Sequence, residues 1–456
     1  MKENRVVMLY VVGFTSFVIS FLSAAINIAL PDIATDFSIN AVTLSWISMS
    51  FLLASAVLLI PFGKISDLFG RKRMFLAGNV IVFITSLLCG LSASGTGLIL
   101  MRAFQGVGGA MIYATGMAII TNIFPPEERG KALGINTASV YLGLSIAPVI
   151  GGFLTQIWGW RSIFFALLPI ELSVIILSVL FLTPDHKKAV WGTFDFKGSL
   201  VYMTAISTLI LGFSQLPDIH AIVLTVVSIF LTGLFICLEL HTDSPVMEIG
   251  LFKNNRVFAF SNLSAFINYA TTFAVSFVLS LYLQYIKGLS PRDTGLLLIS
   301  QPVLMTLVSS FAGRLSDKHD PRILSSTGMA VIVAGLIMLT FLSESTSTLY
   351  ISASLIVLGI GFGLFSSPNT NAVMGSVSKQ YLGIASATLG SMRLTGQMMS
   401  LGLATLMIHL FIGEAQITPA SHTYFVLCVK WLFIIFGALS ILGVFASLAR
   451  GKKVSG

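Results

Sequence analysis

Apolar residues in this 456-residue chain gather in long blocks parted by short polar stretches, rather than recurring at helical or strand spacing. Blocks such as Val7 to Leu30, Val42 to Phe62 and Ser199 to Leu216 can each cross about 30 Å of hydrocarbon as a helix of roughly 20 residues. Read this way, the first part holds spans at 7–30, 42–62, 74–93, 97–124, 132–155, 162–183 and 199–216. The remainder holds spans at 219–240, 257–283, 295–313, 323–343, 349–374, 383–411 and 424–449. Fourteen is even, so the C-terminus returns to the side from which the N-terminus starts. The expected fold class is an all-α polytopic membrane protein.

Composition agrees with the pattern. Hydrophobic residues make up 55% of the chain and charged residues 10%, against about a quarter charged in soluble domains. The longest polar connections, 184–198 and 241–256, leave no room for a soluble domain. Met1 to Arg5 followed by an apolar run has the layout of a signal peptide, with Ser23-Ala24-Ala25 as a faint cleavage site. The run exceeds the usual core of about 7 to 15 residues, which argues against cleavage. Cys89, Cys237 and Cys428 all fall inside apolar runs, which fits packing rather than a disulfide framework or a metal cluster.

The formal charge of +8 is distributed by side. If successive spans alternate direction, about 20 of the 26 Lys and Arg fall on the side of the termini, which the positive-inside rule makes the cytoplasm. Arg161, Lys287 and Arg292 fall on the other side, and Arg102, Arg393 and Lys430 within spans. Positive charge therefore marks topology in a cell membrane, with both termini cytoplasmic, and no nucleic-acid partner is expected. The spans contain no metal-ligand cluster, nucleophile constellation or phosphate loop, so neither an enzyme nor a cofactor is expected.

The stretch "GKISDLFGRKR", Gly63 to Arg73, concentrates five charges, and a paler version, "GRLSDKHDPR", begins 250 residues later at Gly313. Gly106-Val107-Gly108 meets Gly359-Ile360-Gly361, Gly130 meets Gly383 and Gly143 meets Gly396, each at an offset of 253. The chain thus reads as two six-helix bundles, residues 1–183 and 257–456, separated at 184–256 by two inserted helices with flanking linkers. Duplicated halves around a pseudo-two-fold axis are a common route to alternating access, with substrate held near the midplane between them.

These residues also carry a resemblance. "GKISDLFGRKRMFL" resembles the loop motif between helices 2 and 3 of the major facilitator superfamily, and "LILMRAFQGVGGA" its fourth-helix motif. Gly134, Gly143, Ala147, Pro148, Gly151 and Gly152 are similar to its fifth-helix antiporter motif, with Ala147 where glycine is commoner. "WRSIFF", "DFKG", "YLQYIKGLSPRDTG" and "GIGFGLFSSPNTNAVMG" resemble the 14-helix drug:proton antiporter family. That family usually has an acid and a threonine in helix 1 where this chain has Leu22 and Ala24. The resemblance implies a major facilitator fold and proton-coupled export of small molecules. The departure in helix 1 points away from a typical pump for cationic drugs.

Individual residues then acquire expected roles. Asp67 and Arg71, four residues apart and set between Gly63 and Gly70, can form a gating latch with helix ends of the opposing half, with Asp317 and Arg322 as the weaker copy. Lys72 and Arg73 are read more simply as topology signals, and Glu127, Glu128 and Arg129 as either part of the gate or a solvated helix cap. The glycines of helix 5 let another backbone approach closely, and Pro148 adds a break in the hydrogen-bond ladder. Arg102 either snorkels to the outer interface, binds backbone carbonyls or, as the resemblance implies, takes part in proton coupling. Glu171, deep in the sixth run, is a candidate proton carrier or a neutral structural residue, and Asp32 at the outer mouth of helix 1 is a second candidate. Helices 1, 4, 9 and 12 offer Asn27, Gln105, Tyr113, Asn268, Tyr269, Asn369 and Asn371 to a substrate cavity, and Arg393 in helix 13 can meet substrate, a carboxylate or the gate.

The functional expectation is a monomeric, proton-coupled exporter of small, largely apolar drugs or metabolites. A dedicated exporter of one neutral or anionic metabolite and a non-transporting membrane sensor are the alternatives.

Overall fold

The computed structural model describes residues 2–181, 194–242, 245–378, 381–413 and 415–451. A few side chains within these segments, including Glu127, Arg129 and Asp317, lie outside the description, as does the expected boundary at 183–184. Among the described residues, fourteen helices are long and apolar enough to cross a membrane. They are α1 (Lys2–Phe37), α2 (Ala41–Phe69), α3 (Arg71–Gly90), α4 (Gly95–Ile123), α5 (Pro126–Trp158), α6 (Ser162–Phe181) and α7 (Phe196–Ser214). There follow α8 (Ile219–His241), α9 (Arg256–Ile286), α10 (Pro291–Ser316), α11 (Pro321–Leu339), α12 (Thr348–Gly375), α13 (Leu382–Ile412) and α14 (Pro419–Ala449).

Most helices overrun their apolar blocks, because helical hydrogen bonding continues into the polar headgroup zone. Side-chain caps fix where several begin: Asn40, Ser94, Asn255 and Ser347 each accept from a backbone N–H three residues on, at the starts of α2, α4, α9 and α12. Gly70 alone joins α2 to α3. Its φ of +98° is open to glycine and strained for other residues, so the charged motif is also a one-residue turn. Three features were not legible in the apolar pattern. A short helix, Ile249–Asn254, sits in the second linker, α6 is interrupted after Phe165, and α9 ends in a π-helical turn over Tyr282–Ile286.

Helix contacts repeat with an offset of eight helices. α1 packs on α5 as α9 packs on α13, α2 on α4 as α10 on α12, and α3 on α4 as α11 on α12. Contacts of α6 with α1 and α3 recur as those of α14 with α9 and α11. The fold is therefore two six-helix bundles, α1–α6 and α9–α14, with α7 and α8 inserted. A glycine makes the same close approach in each bundle: a Cβ on Gly143 would stand 2.6 Å from the Phe17 carbonyl oxygen, and one on Gly396 2.6 Å from that of Phe266. The same contacts place Ser20 of α1 and Tyr269 of α9 in equivalent positions.

The bundles meet where α5 packs on α10 and α13 on α2. α7 lies beside the second seam. Its Tyr202 hydroxyl reaches the Ala56 carbonyl of α2 at 3.2 Å and Ser391 of α13 at 3.0 Å.

Candidate functional site

Many of the contacts between the bundles lie toward the face opposite the termini. There Ser280 and Gln284 of α9 donate to the carbonyls of Asn27 and Ile28 in α1, at 2.8 and 2.9 Å, and Thr405 of α13 donates to Ser45 of α2 at 2.8 Å. Gly152 of α5 fits against the Pro291 carbonyl of α10, and Gly295 of α10 against the Pro148 carbonyl of α5. Two backbones can come this close only because each presents a glycine to the other's carbonyl. The antiporter-motif residues are thus split: Gly143 and Gly151 press on α1, Gly152 and Pro148 on the other bundle, and Gly134 faces open space. Ala147 is fully buried.

Nearer the middle of the helices, residues of both bundles converge on Arg393 of α13. Its guanidinium hydrogen-bonds Tyr269 of α9, lies 6.0 Å from the ring centroid of Tyr113 of α4, and stands near Tyr141 of α5. Tyr141 shares a 2.6 Å hydroxyl contact with Ser366 of α12, Tyr113 bonds Ser20, and Tyr269 meets Phe362 edge-on at 5.4 Å. Arg393 and the three tyrosines are all half-buried, so they border open space rather than solid core. No ion pair involves Arg393 among the described residues.

A second polar assembly is buried inside the first bundle. Arg102 Nη1 donates to Gln105 Oε1 at 2.5 Å, Gln105 Nε2 to Ser86 Oγ at 2.9 Å, and Ser86 Oγ to Glu171 Oε1 at 2.9 Å. Arg102 Nε also reaches the Ile47 carbonyl at 3.3 Å, and its guanidinium lies 4.6 Å from the centroid of Phe51. α2, α3, α4 and α6 are tied together by this chain. Arg102 is fully buried, which excludes snorkelling. Glu171 is 4% exposed, its second oxygen is buried with no hydrogen-bond partner among the described residues, and the residue lines a cavity of about 10 Å³ with Thr15 and Asn79. A cavity of that size has room for about one water.

The equivalent framework in the second bundle carries none of this polarity. At the glycine offset of 253, Arg102 and Gln105 become Leu355 and Leu358, both fully buried.

The other candidates are dispersed. Asp67 and Arg71 pair at 2.8 Å at the termini face, where Arg71 also reaches the Ala118 carbonyl of α4 at 3.5 Å. Gly63, one turn before, has open space on its Cβ side. Arg322 lies 3.7 Å from Asp320, while the Asp317 side chain is outside the described residues. Asp32 sits at the opposite face near Tyr285, far along α1 from the Arg102 chain. Asn27 accepts from Ser48 at 2.8 Å, Asn369 donates to the Ser261 carbonyl at 3.2 Å, and Asn371 donates to Ser316 at 2.6 Å. Asn268 is fully buried, with no side-chain partner among the described residues. Of the expected cavity set, therefore, Tyr113, Tyr269 and Arg393 come together, and Gln105 belongs to the buried chain instead.

Tyr141, Ser366 and Ser86 were missed by reading the sequence. Serines are common in these spans, and neither pattern nor spacing separates one that links two charged residues from one that satisfies its own helix. Tyr141 had a faint signal, two residues before Gly143 on the helix that packs across the seam.

The Major Facilitator Superfamily model matches residues 12–258 and 262–455. The riboflavin transporter RibZ of Clostridioides difficile is 32% identical over 394 residues, 86% of this chain and 86% of that protein. The multidrug resistance protein Stp of Mycobacterium tuberculosis is 29% identical over 412 residues, 89% of this chain and 76% of that protein. Among solved structures, a bacterial homologue of the human lysosomal transporter Spinster, inward-facing and unoccupied, aligns with a TM-score of 0.69. It covers 99% of this chain and 98% of its own at 18% identity, a likeness of fold. With the family match running through both bundles, the chain belongs to the major facilitator superfamily and is a membrane transporter rather than an enzyme.

Proposed function

We propose that this transporter is a proton-coupled exporter of small, largely apolar compounds, working as a monomer in the cell membrane with both termini cytoplasmic. The orientation rests on the excess of Lys and Arg on the termini side. Substrate enters between the bundles beside Arg393, and the protein alternates between access from one face and from the other.

The buried chain from Arg102 to Glu171, present in one bundle of a duplicated fold and absent from the other, carries this reading. An ionisable group inside a membrane span is costly, and its retention marks function by default. Every donor in the chain points toward the carboxylate, so an ionised Glu171 draws α4, α3 and α6 together through Gln105 and Ser86. A proton arriving on Glu171 removes the negative end of the chain and loosens that grip. Proton uptake and helix movement are then one event. Asp32 is the second proton site, at the far mouth of α1. Asp67 and Arg71, with Asp317 and Arg322 as the paler copy, latch the termini face in the state closed on that side.

Proteoliposomes under an imposed pH gradient test this. Gradient-driven movement of a neutral aromatic compound is expected for the wild type, with loss of gradient dependence in Glu171→Gln and a smaller loss in Asp32→Asn. Wild-type coupling in both variants would remove the proton-carrier assignment.

Arg393 favours a second reading, a dedicated exporter of one anionic metabolite, because the central site holds one cation and no carboxylate among the described residues.

A further inference from the structure

Four residues that meet between the bundles break the internal repeat of this fold. Ser20 and Tyr269 occupy equivalent places on α1 and α9, and the offset of 253 pairs Tyr113 with Ser366. The same offset pairs Arg393 with Val140 and Tyr141 with Leu394. The frame is duplicated, but its charge is single.

That charge is not neutralised by what surrounds it. The groups facing the guanidinium come from α4, α5 and α9, and they are Tyr113, Tyr141 and Tyr269. Tyrosine hydroxyls and ring faces spread a cation's charge without cancelling it. Arg393 is half-buried between the bundles, where a charge persists only against water or a ligand of opposite sign. The three tyrosines and Phe362 add flat apolar faces beside the cation.

We propose that this site binds a small aromatic anion, with its carboxylate or other acidic group on the Arg393 guanidinium and its ring against Tyr113 and Tyr269. The inference rests on the exporter reading for where substrate sits, and it fixes the sign of charge which that reading leaves open. Planar acids fit the fork of an arginine through two parallel hydrogen bonds, and aromatic cations are repelled by it.

Binding in nanodiscs without any pH gradient tests the site separately from proton coupling. Three probes share one ring and differ in charge: 2-naphthoate, 2-naphthol and 2-naphthyltrimethylammonium. Equilibrium dialysis is expected to give naphthoate at least about tenfold tighter binding than the cation, with naphthol between. Arg393→Gln should weaken naphthoate about tenfold or more while leaving naphthol nearly unchanged. Arg393→Lys should recover part of that loss, because it keeps the charge and loses the fork. Tyr269→Phe, which keeps the ring, should weaken naphthoate by less than Arg393→Gln does.

The proposal is overturned if the cation binds as tightly as naphthoate, if naphthoate fails to bind at about 1 mM, or if Arg393→Gln binds it like the wild type. Failure of gradient-driven transport in a protein that still selects naphthoate strikes the proton reading alone. Selection of the cation in a protein that still couples to the gradient strikes the substrate class alone.

Discussion

Ser86 decides whether Arg102 and Glu171 act together. Its hydroxyl receives from Gln105 and donates to Glu171, so removing it breaks the chain while leaving both charged residues in place. Ser86→Ala is expected to cost about 2–4 kcal/mol of stability, since two buried hydrogen bonds are lost and one of them runs to the Glu171 carboxylate. Its effect on coupling should be far larger, with transport persisting while its dependence on the pH gradient falls severalfold. A melting curve beside a gradient titration separates the two, and unchanged coupling would show that Glu171 and Arg102 work independently. Both ends of the chain stood out in the sequence because charge is rare in spans. The link between them did not, because serine is common there and only packing brings α3 and α6 together.

At the scale of helices, glycine positions sort by what faces them. Gly143 and Gly396 each lie against a carbonyl of a neighbouring helix, whereas Gly134, in the same motif and on the same helix, has open space on its Cβ side. Gly143→Val should therefore force α5 away from α1 and destabilise the bundle by about 1–3 kcal/mol. Gly134→Val should melt close to the wild type. Equal losses in the two variants would mean that close approach to α1 is not what sets Gly143 apart from Gly134. The spacing of these glycines was visible in the sequence, and so were the fourteen helices. Which glycine meets α1, which meets the other bundle and which meets nothing depends on the rotation of α5 about its axis, and that rotation is set by neighbours.

For the whole molecule, alternating access requires the seam opposite the termini to open. Ser45 on α2 and Thr405 on α13 hydrogen-bond across it at 2.8 Å. In a chain with Cys89, Cys237 and Cys428 replaced by serine, Ser45→Cys with Thr405→Cys should form a disulfide that holds this face shut. Transport in vesicles is expected to fall to background on oxidation and to return with a thiol reductant. Full transport by the oxidised protein would mean that the two bundles need not part there. The inserted pair α7 and α8 bears on the same motion, because Tyr202 touches α2 and α13 at once.

The sequence by itself determined the number of spans, their even parity, the duplication of the fold and the residues too costly to bury without purpose. Each follows from local properties: hydrocarbon admits about 20 apolar residues per crossing, and charge in a span is expensive wherever the span later sits. Tertiary structure alone decided that Tyr113, Tyr141, Tyr269 and Arg393 share one site, that Gln105 belongs to a buried chain rather than a cavity, and that Asp32 stands apart from Glu171. A helix presents different residues to lipid, to its own bundle and to the opposing bundle. In a sequence apolar on nearly every face, the pattern carries no mark of which face is which.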